Sequence, residues 1–294
     1  MKKRNWAIAG FSSLVIPGFG QLYNTQSTKA LVFLFVALLL LTTLFCTPLA
    51  LYFETFLLVV ISILGFRIYV VIDAIFVAIR SKSLQLCWYN RWYGYLGFAI
   101  IAHLLFFGAR PVVEEFRRVE LYRIPTQGMK PTLVPGDFIA VDRWSYKGPF
   151  SKPTRSIRRG DVVTYKPPES PSAVYVSRCV AVGGDTVEVR DGVLFVNGSR
   201  AAPSSRIDEG PRRKASGDRL PGEENMAEQI KDLGPLPIPS DSLYIVGDNR
   251  DSSYDSRFFG PVSTNAVIGQ VRYIYFSWGQ EALLPRFTRM GREQ

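Results

Sequence analysis

Two long apolar runs near the start of the chain restrict its fold more than any other feature. Residues 30–53 contain no charged side chain, and residues 55–79 form a second run that contains Arg67 and Asp73. A helix rises about 1.5 Å per residue, so each run is long enough to cross a hydrocarbon core of roughly 30 Å. The sequence therefore predicts two transmembrane helices joined tightly at Glu54.

Two further apolar stretches flank this hairpin. Residues 93–109 follow a cluster of tryptophan and tyrosine, which favour the headgroup layer, and they predict a third, shorter span. Residues 6–23 are interrupted by a Pro-Gly-Phe-Gly sequence and have no small-residue cleavage site, which predicts an interfacial or re-entrant segment rather than a signal peptide. The string PGFGQLYNTQSTKA, which starts at Pro17, resembles a small two-helix membrane module with a PGxGQxYxG-like motif, although Thr25 takes the last glycine position.

The basic residues indicate how these helices are oriented. Residues 1–109 carry 8 Lys+Arg against 2 Asp+Glu, whereas residues 110–294 carry 27 against 23. The excess lies before the first span and between the second and third, so the positive-inside rule places both regions in the cytoplasm. We therefore expect a multi-pass membrane protein, with a membrane domain at 1–109 and an extracytoplasmic domain at 110–294.

Two charged residues and the single histidine fall inside the predicted spans. Arg67 and Asp73 are costly in lipid, which makes them functional candidates. Six residues apart on one helix, they point about 120° away from each other, so each is expected to find a structural partner on a neighbouring helix rather than to serve transport or proton relay. His103 is expected to be a packed or hydrogen-bonded residue.

Several function classes are disfavoured by composition. The basic residues after 110 are interleaved with acids, so no nucleic-acid partner is expected. Cys46, Cys87 and Cys179 lie far apart and predict neither a disulfide framework nor a metal site. Because His103 is the only histidine, a His-containing zinc site and a Ser-His or Cys-His pair in the polar domain are excluded, and no cofactor is predicted.

Beyond residue 120 the pattern changes to that of β-strands. Short β-branched runs separated by turn residues predict a mostly antiparallel β structure. Val187–Arg190 and Val193–Asn197 flank Asp191-Gly192, which predicts a hairpin with a two-residue turn. Residues 200–238 are rich in proline, glycine, serine and charge, with a weak helical pattern near 223–233, and are expected to form a surface loop or insertion. Other strands are expected at 137–141, 161–165, 174–176, 242–246 and 271–276.

Four motifs in this part of the chain carry a family resemblance. They are Ile124–Leu133 (IPTQGMKPTL), Arg159–Val163 (RGDVV), Tyr175–Arg178 (YVSR) and Gly247–Arg257 (GDNRDSSYDSR). In this order they resemble bacterial signal peptidase I over roughly residues 110–291. The last motif is the most specific, because turn chemistry alone does not explain so many ordered polar residues. The resemblance implies the β-rich signal peptidase I fold for the extracytoplasmic domain. It also implies that the protein lies in the bacterial cytoplasmic membrane, with this domain in the periplasm.

The catalytic residues that the resemblance implies are not present. In this family a serine attacks the peptide carbonyl and a buried, unprotonated lysine removes the serine proton. Alignment of the motifs puts Gly128 at the nucleophile position and Ser177 at the general-base position. Thr126 matches the residue whose hydroxyl helps to hold the oxyanion, and Ser253 matches the serine that orients the lysine.

The substrate cleft of the family is better preserved. It takes an extended chain with small side chains before the scissile bond. The resemblance implies that its wall includes Tyr122, Ile124, Tyr175 and Val176.

A migrated nucleophile is the competing interpretation. Thr126, Ser177 and Cys179 lie near the site in sequence, and Lys130 and Lys166 are possible bases. We rank this interpretation lower, because new catalytic pairs need hydrogen-bond geometry that chance rarely supplies.

The sequence therefore predicts a catalytically inactive member of the signal peptidase I family. We expect it to bind extended preprotein or signal-peptide segments of exported or membrane proteins, or to modulate an active signal peptidase. The alternative is an active signal peptidase I that cleaves signal peptides from preproteins with an unconventional nucleophile.

Overall fold

The computed structural model describes residues 4–81, 84–108, 114–146, 155–170, 172–201, 232–279 and 284–294. The chain divides into two units, Met1–Val119 and Glu120–Gln294. The regular structure of the first unit is helical, and that of the described part of the second unit is mainly β-strands.

Apolar helices make up the described part of the first unit. They are α1 (Trp6–Val15), α2 (Phe19–Tyr23), α3 (Ser27–Cys46), α4 (Phe53–Arg80) and α5 (Trp92–His103).

By length and composition, α3 and α4 could each cross a membrane. The predicted run 30–53 ends earlier as a helix, at Cys46, because Pro48 cannot continue the α-helical hydrogen bonds and starts a short 3-10 turn instead. The apolar helix Trp92–Gly108, whose last turn is π-helical, is shorter, and the third span stays a prediction.

The Pro-Gly-Phe-Gly sequence explains the break between α1 and α2. Gly18 has a φ of 93°, and a Cβ atom there would overlap the backbone carbonyl of Ala30. Gly20 packs so closely against Ala9 and Ser13 that it also has no room for a side chain. Both glycines are therefore required by close packing of α2 against its neighbours.

A buried polar network joins α2, α3 and α4. The Gln21 side chain is fully buried; it accepts a hydrogen bond from Ser13 Oγ at 3.1 Å and donates to Val70 O at 2.8 Å and Asp73 Oδ2 at 3.0 Å. Lys29 Nζ lies 2.5 Å from Asp73 Oδ1. Asp73 thus finds its partners on neighbouring helices, as predicted.

Arg67 also has a partner on another helix. Its Nη2 donates to Leu14 O at 2.5 Å, at the C-terminal end of α1. The last carbonyls of a helix lack intrahelical donors and carry negative partial charge, so a guanidinium stabilises them. The prediction that Arg67 and Asp73 do not pair with each other is confirmed. His103 stacks on Phe107 with ring centres 4.6 Å apart.

Two antiparallel sheets form the second unit. The strands are β1 (Val119–Arg123), β2 (Asp137–Asp142), β3 (Val162–Tyr165), β4 (Tyr175–Val182), β5 (Thr186–Arg190), β6 (Val193–Val196), β7 (Ser199–Arg200), β8 (Leu233–Pro237), β9 (Ser242–Val246), β10 (Val262–Ser263) and β11 (Val267–Ser277). The strand order is β1-β2-β11-β3-β4-β9-β10 in the larger sheet and β7-β6-β5-β8 in the smaller one. The predicted mixture of apolar helices and antiparallel β-structure is confirmed.

The predicted hairpin is confirmed in the smaller sheet. Val187 pairs with Val196, and the turn residues Asp191 and Gly192 have φ angles of 50° and 74°. Two consecutive positive φ angles are typical of the turn that matches the twist of a two-residue hairpin.

The predicted loop 200–238 is wrong at its C-terminal end. Residues 233–237 form β8, which pairs with β5 at the edge of the smaller sheet, and Leu233 and Leu236 pack on its core. Pro235 and Pro237 indicated a loop rather than a strand in the sequence. An edge strand tolerates proline, because the N–H groups on its outer side have no partner strand to bond to. Most of the predicted helical pattern near 223–233 lies outside the described residues.

Candidate functional site

The Ile124–Leu133 segment is held by the turn that follows β9. Asn249 N donates to Gly128 O at 3.0 Å, and Asn249 Nδ2 donates to Gln127 O at 3.1 Å. Thr132 Oγ1 donates to Asp248 Oδ2 at 2.5 Å. The two most specific sequence motifs therefore form one structural unit, although they are more than a hundred residues apart in the chain.

A buried ion pair ties this unit to β4. Arg178 donates from Nε and Nη2 to the two Asp248 carboxylate oxygens at 2.8 and 2.7 Å, and from Nη1 to Gly160 O. The Asp248 side chain is fully buried. Such a bidentate pair fixes geometry as well as charge, so β4 and the Gly247–Arg257 motif are held in register.

The Gly247–Arg257 motif is also ordered internally. Gly247 N donates to Asp255 Oδ2 at 2.9 Å, and the Arg257 guanidinium pairs with the same carboxylate. A Cβ atom on Gly247 would overlap the Ser253 side chain and would lie 2.5 Å from Gly128 O. Gly247 is therefore required for the close approach of Ser253 to Gly128.

Gly128 has no comparable structural requirement. A Cβ atom built there would lie 3.6 Å from Ser252 O and 3.7 Å from Ser253 Oγ, which are ordinary contact distances, and its φ is not positive. The site thus has room for a small side chain at residue 128, pointing toward the Ser253 hydroxyl. Neither the backbone conformation nor the packing at residue 128 requires glycine. The missing side chain therefore affects the chemistry of the site and not its fold.

Ser177 lies buried on β4, and a tyrosine fills the space beside it. The Ser177 hydroxyl donates to Val176 O at 2.8 Å and lies 3.4 Å from Tyr165 Oη. Tyr165 is fully buried, and burial raises its pKa well above the usual value, so the phenol is neutral at physiological pH. Sequence reasoning missed Tyr165, because its place opposite Tyr175 depends on the pairing of β3 with β4.

The other candidate nucleophiles and bases are not brought together. Cys179 is fully buried, and burial raises the pKa of its thiol to about 12, so it is not a thiolate near neutral pH. Thr126 is exposed. Lys130 Nζ donates to Gln127 Oε1, and Lys166 is exposed. Within the described segments, neither lysine hydrogen-bonds to Thr126, Ser177 or Cys179.

Three of the four predicted cleft residues share one apolar cluster. Ile124 is 4% exposed and belongs to the cluster itself, while Tyr122 and Val176 are partly buried and pack against it. Since β1 and β4 are separated by three strands in the sheet order, their meeting on one cluster requires the sheet to curl. Tyr175 is 37% exposed and lies on the opposite face of β4, with its ring against Tyr165.

Both segments that meet on this cluster have an open backbone edge. β1 lies at the edge of its sheet. Ile124 N and O bond to the β2 side, at Asp137 O and Gly136 N, so alternation directs the Arg123 N–H to the open side. On β4, pairing with β9 begins only at Arg178, which leaves residues 175–177 paired with β3 alone among the described strands.

Comparison with known proteins supports the resemblance of the motifs. The family described as "Signal peptidase, peptidase S26" matches residues 92–278. "Signal peptidase I" of Pseudomonas aeruginosa is 30% identical over 202 residues, 59% of this chain and 71% of that protein. The Leptolyngbya laminosa protein of the same name is 31% identical over 60% of this chain and 73% of its own.

A "Signal peptidase I" from Bacillus caldolyticus is 31% identical over 55% of this chain and 81% of its own length. A solved signal peptidase I from Enterococcus faecalis V583 is 26% identical and covers 40% of this chain and 97% of that one; its TM-score of 0.28 is too low for an argument about fold. The family match spans more than half of the sequence and includes all four motifs. The chain therefore belongs to the signal peptidase, peptidase S26 family.

Proposed function

We propose that this protein binds an extended segment of an exported or membrane protein without cleaving it. The observation that carries the proposal is the combination of open strand edges at β1 and β4 with a site that has no side chain at Gly128 and no amine at Ser177. A serine hydroxyl is too weakly basic to act as a general base near neutral pH, and the Ser177 hydroxyl donates its proton to the Val176 carbonyl. By retaining the substrate of an active signal peptidase, the same surface would also modulate that enzyme.

The binding mode that we propose is the addition of a strand. A peptide lying between Arg123 and residues 175–177 would satisfy two open backbone edges at once, and main-chain hydrogen bonds of this kind give affinity for extended chains. The apolar cluster below, with Tyr122 and Val176, would receive small side chains. Thr126 and the Gly128 amide remain available to hold a carbonyl oxygen.

Cleavage with an unconventional nucleophile is the second candidate function. It is favoured by the names of the relatives, which are signal peptidases, and by the hydroxyl of Ser253 beside Gly128. The described residues offer Ser253 no lysine as a hydrogen-bond partner. We therefore place non-catalytic binding first.

The open edge of β1 provides the test of peptide binding. Arg123→Pro removes the outward N–H without removing a sheet hydrogen bond, so titration calorimetry with an extended small-residue peptide should show at least a tenfold loss of affinity. Arg123→Ala, which keeps the N–H, should bind as the parent does. Equal peptide affinity of the parent, Arg123→Pro and Arg123→Ala would refute strand addition, and so would the absence of peptide binding by the parent. A substitution at Ile124 is unsuitable because that side chain is part of the core.

For the first unit we propose membrane insertion with residues 81–91 in the cytoplasm and the second unit in the periplasm. Cys87 is exposed and provides a native probe, and Arg200→Cys places a second one on the β-unit. A thiol reagent that cannot cross membranes should label Arg200→Cys in intact spheroplasts but should label Cys87 only after permeabilisation. Labelling of Cys87 in intact spheroplasts would reverse this orientation.

A further inference from the structure

Arg4 is a buried arginine whose charge is not paired within the described residues. It is 8% exposed, and its guanidinium carbon lies 4.2 Å from the centre of the Tyr23 ring. Its Nε and Nη2 are covered, and neither makes a hydrogen bond to the described part of the chain. Because a buried charge is costly without a counter-ion, an anion that reached the exposed 8% of Arg4 would stabilise this residue.

Other basic residues lie at the same end of the helical unit. Asn90 Nδ2 donates to Leu22 O at 2.8 Å and Tyr89 Oη donates to Thr25 O at 2.9 Å, so the segment leading into α5 lies against the α2–α3 turn. The helix α4 reaches this end as well, because Asn24 Nδ2 donates to Ala74 O at 2.7 Å.

The charges at this end do not balance. The basic residues described there are Arg4, Lys29, Arg80 and Arg91. Asp73 is the acidic residue described there, and it already pairs with Lys29. Glu54 lies in the first turn of α4, at its opposite end. Three cations are left over, and one of them is the buried Arg4.

Large apolar side chains follow Arg4 at the start of α1, and others lie near Arg80 at the end of α4. Trp6 and Ile8 follow it on α1 and are 57% and 51% exposed, and Phe76 and Ile79 on α4 are 56% and 63% exposed. A free phosphate would leave these surfaces uncovered. A molecule that has both a phosphate and acyl chains would cover them and supply the missing charge.

We propose that this end of the helical unit, with Arg4 as its anchor, binds the phosphate of an anionic phospholipid. The acyl chains of the lipid lie along the exposed apolar side chains of α1 and α4, and Arg80 and Arg91 add to the attraction. The inference rests on the proposed membrane insertion of α3 and α4.

The experiment uses the full chain extracted from membranes in a neutral detergent. Native mass spectrometry measures the retention of phosphatidylglycerol and of phosphatidylcholine with identical acyl chains. We expect phosphatidylglycerol to be preferred, and Arg4→Gln to lose roughly fivefold or more in affinity for it. Arg4→Lys, which keeps the charge, should retain most of the preference. Arg190→Gln removes an exposed arginine from the β-unit and should change nothing.

The possible outcomes separate the hypotheses. No preference in the parent, an unchanged preference in Arg4→Gln, or an equal loss in Arg190→Gln would each overturn the lipid site. Inorganic phosphate at millimolar concentration should not displace the lipid; displacement would indicate a site for a free anion instead. If the chain is absent from the membrane fraction, the proposed insertion fails, whereas a membrane-bound chain without lipid preference refutes only the present inference.

Discussion

The triple variant Gly128→Ser, Ser177→Lys, Tyr165→Phe is expected to cleave a preprotein that, under the proposed function, the unmodified chain should leave intact. The first change supplies a hydroxyl in a space that already accommodates a Cβ atom. The second supplies an amine on the buried face of β4, and the third removes the phenol oxygen that lies 3.4 Å from the residue 177 side chain. Thr126, Ser253 and the Gly247–Arg257 motif need no change.

Neither Gly128→Ser nor Ser177→Lys alone should give cleavage, because a nucleophile and its base act as a unit and the loss of a central member costs on the order of 10⁶ in turnover. The double variant without Tyr165→Phe should be slower than the triple variant, since an amine displaced by about 1 Å can lose about 10² in rate. Product analysis by gel electrophoresis and mass spectrometry measures cleavage by the two single variants, the double variant and the triple variant. Cleavage by the unmodified chain that Thr126→Ala or Ser253→Ala abolishes would overturn the inactive interpretation.

Gly247→Ala is expected to unfold the site although it leaves every predicted catalytic residue unsubstituted. Its Cβ would collide with Ser253 and with the Gly128 carbonyl, so the Asn249–Gly128 hydrogen bond cannot form as it does now. Overpacking of this kind costs about 3 kcal/mol, which lowers the melting temperature of a unit of this size by roughly 6–12 °C. Thermal unfolding and peptide titration should both report the loss.

Gly234→Ala is the matched control for this change. Gly234 lies in the edge strand β8, where an added Cβ has no atom within 4 Å. It should leave the melting temperature and peptide affinity nearly unchanged. If Gly247→Ala leaves both the melting temperature and the peptide affinity unchanged, Ser253 is not held against Gly128 in solution.

The sequence predicted those elements whose patterns are local. Apolar length predicted α3 and α4, and the Asp191-Gly192 pair predicted its hairpin because both residues tolerate positive φ. The strand β8 was missed because proline is normally read against strand structure, whereas its edge position depends on the pairing of distant segments. The boundary of α3 was set by one proline inside a run that hydropathy alone treats as continuous.

The candidate site was predictable only in part, because some of its contacts also depend on how distant segments pair. The motifs identified Gly128, Ser177, Thr126 and Ser253, and the structure brings Gly128 and Ser253 together. The contact between Tyr165 and Ser177 depends on strand register, which no local pattern specifies. Ile124 matched a cleft position in the motif, but curling of the sheet makes it part of the core.

The contact between Arg67 and Leu14 constrains how the protein is assembled during synthesis. The helix α1 leaves the ribosome before α4, yet its Leu14 carbonyl, one residue before the end of the helix, accepts a hydrogen bond from a side chain that is translated 53 positions later. Unsatisfied carbonyls are strongly disfavoured in hydrocarbon, so α1 cannot settle at its final depth until α4 has emerged. With the proposed membrane insertion, we therefore expect the α3–α4 hairpin to insert before α1 reaches its final depth.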